Sequence, residues 1–241
     1  MSFSFNAWQI LGLILASGLL WMLYVRSKDR HQPEPSRRLL FAFVLGIGAF
    51  WLSALGYFAI ESLGVPDIQF NERRWNAVYC FGIVGPLEEG AKVLVAYPVV
   101  FRWREYDEPI DGFVYASAIS LGFACMENFQ TIADAGWLIQ LACTVTLPIT
   151  HVLFSSIWGL GIGHAHFCVA SPARRVFWQA GSIGLSMFAH GLHDYFIFAF
   201  QATLATSVLA LVIWAFVIWR LRLLGKRAAS PPKATDVPSP K

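Results

Sequence analysis

The chain has 241 residues, 56% of them hydrophobic and only 14% charged, with a mean hydropathy of +0.54. Soluble domains carry about 25% charged residues, so the shortage of charge excludes an ordinary soluble globular domain and marks an integral membrane protein. The formal charge of +3, from 18 Lys and Arg against 15 Asp and Glu, sits in loops and at the C-terminal end, which speaks for membrane orientation and against a nucleic-acid partner.

A spanning helix needs about 20 apolar residues. Such segments run at 7–25, 38–61, 76–101, 111–129, 137–163, 176–200 and 202–224, which predicts an all-α polytopic transmembrane helix bundle of about seven spans and leaves no room for a separate soluble domain. The bundle takes residues 1–225. The last two spans leave almost no loop between them, so a tight extracytoplasmic turn is expected near Gln201. Residues 226–241 are rich in proline and serine and read as a disordered cytoplasmic tail. Met1 to Gln9 contains no Lys or Arg, so the first span reads as a retained anchor and not as a cleaved signal peptide. Cys80, Cys125, Cys143 and Cys168 lie in or beside apolar stretches without a CxxC pair, as membrane-buried thiols would.

Basic residues set the orientation. Arg26 to Arg38, Arg102 and Arg104, Arg174 and Arg175, and Arg220 to Lys241 all follow odd-numbered spans, whereas only Arg73 and Arg74 lie in loops of the opposite side. The positive-inside rule then places the N-terminus outside and the C-terminus in the cytoplasm.

Ionisable side chains inside a bilayer cost at least about 2.5 to 3.5 kcal/mol each on insertion scales and usually face a partner or a wet cavity. Here they form a set: Glu88, Glu89 and Lys92 in span three, Glu127 and Asn128 at the end of span four, His151 in span five, and His190, His193 and Asp194 in span six. Lys92 is three and four residues from the two glutamates and reaches either on a helix. Glu88 and Glu89 point about 100° apart, so one can face a cavity while the other supports it. Pro86 removes a backbone donor just before the pair. His190 and Asp194 share a helix face, and His193 lies about 60° off it, as a rim hydrogen-bonder. A bland alternative exists for each: a Glu/Lys pair that glues helices together, a packed histidine, an interfacial carboxylate. His164 and His166 sit at the cytoplasmic end of span five and are given no role.

Peptide hydrolysis needs a base for water, donors or a Lewis acid for the oxyanion, and an acid for the leaving amine. The set meets this in two ways. His151, His190 and Asp194 could hold zinc with an open water position, or a glutamate could activate water directly while histidines face the oxyanion. No HExxH helix occurs, and spacing does not choose between the two. A proton-coupled transporter would also hold such residues at membrane depth, although no internal repeat relates the Glu88 and His190 regions. A nonenzymatic sensor or scaffold could use them as interhelical glue.

Four elements in register, Glu88-Glu89-x-x-Lys92, Phe123-x-x-x-Glu127-Asn128, His151-x-x-Phe154 and His190-x-x-x-Asp194, resemble those of the PrsW family of bacterial intramembrane proteases, relatives of the CAAX prenyl endopeptidases. The loop Asp29 to Pro35 also looks like the family's first cytoplasmic loop, and the likeness runs from about residue 24 to 198. The resemblance implies a multi-pass protease of the bacterial cytoplasmic membrane. It would cleave single-pass, membrane-anchored substrates such as anti-sigma factors, starting a regulated proteolysis. Glu88 then looks like the catalytic base and Glu89 like a partner set by Lys92. Glu127, His151, His190 and Asp194 complete the site, and Asn128 supports it. The family is described as metalloproteases, which implies zinc; of the two mechanisms the metal-free glutamate base is the one we favour.

Overall fold

The computed structural model describes residues 6–29, 32–69, 72–132 and 137–228. These form helices with no strand among them: α1 (Ala7–Arg26), α2 (Ser36–Ser62), α3 (Arg73–Tyr79), α4 (Gly85–Ala96), α5 (Asp111–Ile132), α6 (Trp137–Cys168), α7 (Pro172–Phe200) and α8 (Thr203–Ala228). A π-helical turn, Cys80–Val84, runs α3 into α4, and a short 3₁₀ turn, Val100–Arg102, follows α4. With α3, the π-turn and α4 taken as one rod, seven long helical segments lie over the seven apolar stretches. The fold is an all-α membrane bundle. Four of the helices, α1, α2, α6 and the Thr203–Leu224 part of α8, are long and apolar enough to cross a membrane by length and composition. The other three rods carry most of the ionisable set. The tail expected from residue 226 lies almost wholly beyond Ala228, outside the described residues.

Local chemistry explains the ends. Asn6 and Gln9 form a reciprocal capping box at the start of α1, and Pro35 holds an extended backbone just ahead of α2. Between α7 and α8 the chain reverses at Gln201, a non-glycine residue in the left-handed region (φ 50°); its N–H returns to the Ile197 carbonyl and that of Ala202 to the Phe196 carbonyl. The tight turn expected there is present.

The centre of the bundle is α5, buried at every residue from 111 to 125. Small residues make this possible. A Cβ on Gly122 would fall 1.9 Å from the Phe43 carbonyl oxygen of α2, and one on Gly112 would fall 2.2 Å from the Gly159 oxygen of α6, so the backbones touch where a larger residue would part them. The flanking helices turn large apolar side chains outward, among them Leu15, Leu19 and Leu23 on α1 and Leu204, Leu211 and Val212 on α8. In water this surface would aggregate; against lipid it is the expected face.

Charged loops gather by end. Arg38 Nε is 3.0 Å from Glu105 Oε1, Gln32 donates to Glu108 at 2.6 Å, and the rings of Tyr106 and His166 pack 5.6 Å apart, so the α1–α2, α4–α5 and α6–α7 connections share one end. Asp29 and Glu34 are pinned there: Asp29 Oδ2 accepts from the Glu34 amide at 3.1 Å, and the Tyr115 hydroxyl of α5 donates to Glu34. At the opposite end Arg73 lies over the Phe200 ring, 4.8 Å from its centroid. The four cysteines are free; Cys80 and Cys125 are buried, Cys143 is half-buried, and Cys168 is exposed at the end of α6.

Candidate active site

The π-turn sets the first part of the site. Gly85 N–H reaches the Cys80 carbonyl, five residues back, which widens the helix just where Pro86 would otherwise meet the preceding turn. From there α4 passes close to α7: a Cβ on Gly85 would fall 2.1 Å from the Met187 oxygen, and one on Gly191 would fall 2.5 Å from the Cys80 oxygen. That contact brings Glu88 and Glu89 against His190.

Glu89 and Lys92 are completely buried. Glu89 Oε1 accepts from Lys92 Nζ at 2.7 Å and lies 3.0 Å from His190 Nδ1. Its Oε2 accepts from Ser155 Oγ at 2.7 Å and Trp158 Nε1 at 2.9 Å. Ser186 Oγ stands 3.1 Å from Oε2 and 2.8 Å from the Phe154 carbonyl, with one proton to serve both. A carboxylate ringed by so many donors is ionised and has no lone pair left for chemistry. Glu88 differs. It is 8% exposed, its Oε1 accepts from Tyr57 Oη at 3.0 Å, and its Oε2 makes no hydrogen bond among the described residues.

The histidines are wired differently from each other. An ammonium only donates, so Lys92 Nζ, 2.9 Å from His151 Nδ1, makes that nitrogen the acceptor. The His151 proton then sits on Nε2, which lies 2.7 Å from Glu127 Oε2. His190 is the reverse: Nδ1–H donates to ionised Glu89, and Nε2 turns toward Glu88 Oε2 at 3.5 Å and Asp194 Oδ2 at 3.6 Å. The two rings stand edge to face, 5.1 Å apart. Phe154 stacks on His190 at 4.8 Å, and Lys92 Nζ lies 4.2 Å over the Phe123 ring. Both aromatic residues of the sequence motifs therefore wall the cluster.

All six residues singled out as catalytic meet here, from four rods. Lys92 chooses Glu89 over Glu88. His193 takes the rim position, 2.9 Å from Asp194 Oδ1. Asn128 is fully buried, but its amide makes no hydrogen bond among the described residues, so nothing polar links it to the cluster. Tyr57, Ser155, Trp158 and Ser186 were not singled out. A hydroxyl or indole in an apolar helix has many ordinary roles, and only the fold shows these aimed at one carboxylate pair.

A cavity of about 750 Å³ opens onto the cluster. Glu88, Glu127 and Asp194 face its inner part, and α2 lines it from Phe50 through Tyr57 to Glu61, about 16 Å of helix at 1.5 Å per residue. It ends at Val65 to Ile68, on the side opposite the basic loops.

Donor atoms of Glu88, His151 and His190 lie within 4.8 Å of one another, all buried. Two imidazoles and a carboxylate, the last lining the cavity, make the three-ligand set of hydrolytic zinc, so the residues fit such an ion in type and spacing. Asp194, expected as the third ligand, lies 3.6 Å from His190 Nε2 but is not in the compact group, where Glu88 takes its place.

A helical membrane bundle with a carboxylate–histidine cluster at the foot of a wide cavity has the parts of an intramembrane hydrolase. The chain belongs to the PrsW family: the family model described as PrsW family intramembrane metalloprotease matches residues 34–221. The chain is 30% identical to Protease PrsW of Geobacillus kaustophilus (strain HTA426) over 77% of its own length and 78% of that protein. It is 26% identical to Protease PrsW of Clostridioides difficile (strain 630) over 85% and 84% of the two chains, and 28% identical to Protease PrsW of Bacillus subtilis (strain 168) over 77% and 81%. No solved structure matches it. The protein is therefore a membrane-embedded protease, and the transporter and scaffold readings fall away.

Proposed function

We propose that the chain hydrolyses a peptide bond of single-pass, membrane-anchored protein substrates of the anti-sigma-factor kind in the bacterial cytoplasmic membrane, with Glu88 as the base. One observation carries this assignment. Of the two adjacent glutamates, Glu89 is saturated by donors, whereas Glu88 keeps Oε2 free of hydrogen bonds beside the cavity.

In this reading Glu88 Oε2 takes a proton from water as the water oxygen bonds to the scissile carbonyl carbon. The same carboxyl then gives that proton to the leaving nitrogen as the C–N bond breaks. His190, held by the Glu89 contact at Nδ1, keeps Nε2 between Glu88 Oε2 and Asp194 Oδ2 and steers the Glu88 carboxyl when that nitrogen carries a proton. His151 Nε2–H, set by Lys92, is the donor for the oxyanion once the substrate carbonyl takes the place of Glu127 Oε2 beside it. A zinc ion held by Glu88, His151 and His190 would act as a Lewis acid on water or carbonyl. Ligation through His151 Nε2 would require that nitrogen to lose the proton that Lys92 places on it, which supports the glutamate base. The cavity runs to the end of α2 away from the basic loops, so with the C-terminus in the cytoplasm cleavage falls near the outer boundary of the membrane.

The deciding experiment is cleavage of a purified single-pass substrate by the wild-type enzyme and by Glu88→Gln, each with and without a chelator. Loss of cleavage in Glu88→Gln with little effect of the chelator supports the proposal. Full loss with the chelator alone, restored by zinc, replaces the metal-free form with the zinc form.

A further inference from the structure

None of the sequence elements that mark the site lies on α2, yet α2 supplies a direct contact to the base. Tyr57 Oη donates to Glu88 Oε1 at 3.0 Å, and both residues line the same cavity. The contact has a structural cause one residue away on each helix. At Gly56 a Cβ would lie 2.8 Å from Leu87 Cδ2, so glycine lets α2 come close to α4 and brings Tyr57 within reach of Glu88. A packing role alone does not require the hydroxyl to meet this oxygen.

The terminal torsion of a glutamate is broad and nearly two-fold. Without a fixed partner, its two oxygens exchange places at little cost. Tyr57 occupies Oε1, and Oε2 is left without a hydrogen bond and 3.5 Å from His190 Nε2. We propose that Tyr57 is a positioning residue that orients the Glu88 carboxylate so that Oε2 is the oxygen that takes the proton from the attacking water. The inference rests on the reading of Glu88 as the base. Tyr57 acts through Glu88 on the chemical step and leaves substrate affinity alone.

The test is steady-state cleavage by the full-length enzyme carrying Tyr57→Phe, with 4-aminophenylalanine at position 57 as the second variant and Glu88→Gln as the reference. Phenylalanine keeps the ring and its packing but has no donor. Misplacement of a reacting group by a fraction of an ångström to 1 Å costs up to about 100-fold, so kcat should fall about 10- to 100-fold with KM within about twofold. The amino group keeps an N–H donor on the same ring carbon and should restore kcat to within about fivefold. Wild-type kcat in Tyr57→Phe beside an inactive Glu88→Gln overturns the positioning role and leaves the Glu88 reading standing. An active Glu88→Gln overturns that reading instead. Should Tyr57→Phe fail to fold, the 4-aminophenylalanine variant decides: rescue of both fold and kcat supports the donor role, and a folded but slow variant removes it.

Discussion

Lys92 Nζ lies 2.7 Å from Glu89 Oε1 and 2.9 Å from His151 Nδ1, so one ammonium joins the two histidine–carboxylate chains of the site. Its charge is wholly buried. Lys92→Ala leaves Glu89 without its counter-charge and frees the tautomer of His151. Breaking a buried pair by removing one partner costs about 3 to 5 kcal/mol, so thermal unfolding should move down clearly and cleavage should be lost. A Lys92→Ala protein that melts with the wild type would show that the ammonium holds nothing.

The two glutamates should separate by phenotype. Glu88→Gln keeps shape and the Tyr57 contact, so expression and melting should stay near wild type while turnover falls by about 10² to 10⁴. Glu89→Gln puts an amide where five donors converge, and its own NH2 must face some of them. It should destabilise the fold as well as slow the enzyme. Parallel melting and turnover measurements check both. Normal cleavage by Glu88→Gln with an inactive, well-folded Glu89→Gln would move the base one residue along α4.

The sequence carried the fold well because spanning helices are written in long apolar runs, and the seven runs recur as seven helical rods with a turn at Gln201. The charged part of the site was equally legible: a Glu, Lys or His inside an apolar run costs too much to be incidental. The pairing was not. Helical spacing allowed Lys92 to reach Glu88 or Glu89, and only the approach of α6, with Ser155 and Trp158 directed at Glu89, resolves it. Tyr57 gave no signal, since a tyrosine near a helix end is what a membrane interface commonly holds. The π-turn was hidden too: Pro86 predicts a disturbance, not its form.

Backbone contact between α4 and α7 gives a third expectation. A Cβ at Gly85 meets the Met187 carbonyl at 2.1 Å, and backbone cannot swing aside as a side chain can. Gly85→Ala should push α4 from α7, part Glu88 and Glu89 from His190, and lower both melting temperature and turnover. Gly181→Ala on α7, where a Cβ would meet nothing within 4 Å, is the control and should be neutral or stabilising by up to about 1 kcal/mol. Equal behaviour of the two variants would deny the close contact any part in the site.

Stability should depend on pH through the loop between α1 and α2. Burial pushes the Glu34 carboxyl from its ordinary 4.5 up to about 8; the Tyr115 hydroxyl opposes the rise, and the charges of Asp111 and Asp29 add to it. The folded chain therefore keeps a proton between these values that the unfolded chain releases. The contribution is full below pH 4.5, declines as pH rises, and is gone above about 8. Unfolding midpoints from pH 5 to 9 should fall in the wild type and stay flatter in Glu34→Gln. A wild-type curve no steeper than the variant's would place the titration elsewhere.

The last prediction ties topology to where the substrate is cut. The basic loops share one end of the bundle, and the cavity opens at the other, beside Val65 to Ile68. If the basic end is cytoplasmic, a periplasmic reporter fused after Leu224 should be silent and a cytoplasmic one active. The cut should also fall close to the outer face. Tyr57 and Glu61, one helical turn or about 6 Å apart, lie between Glu88 and the rim at Val65 to Ile68, so the scissile bond should lie within a few residues of the substrate's outer membrane boundary. Mass spectrometry of the released fragment locates it. A reporter active only in the periplasm would invert the chain, and cleavage at the cytoplasmic boundary would require substrate to arrive from the basic end, where α5 and its contacts with Glu34 and the Asp111 turn stand in the way.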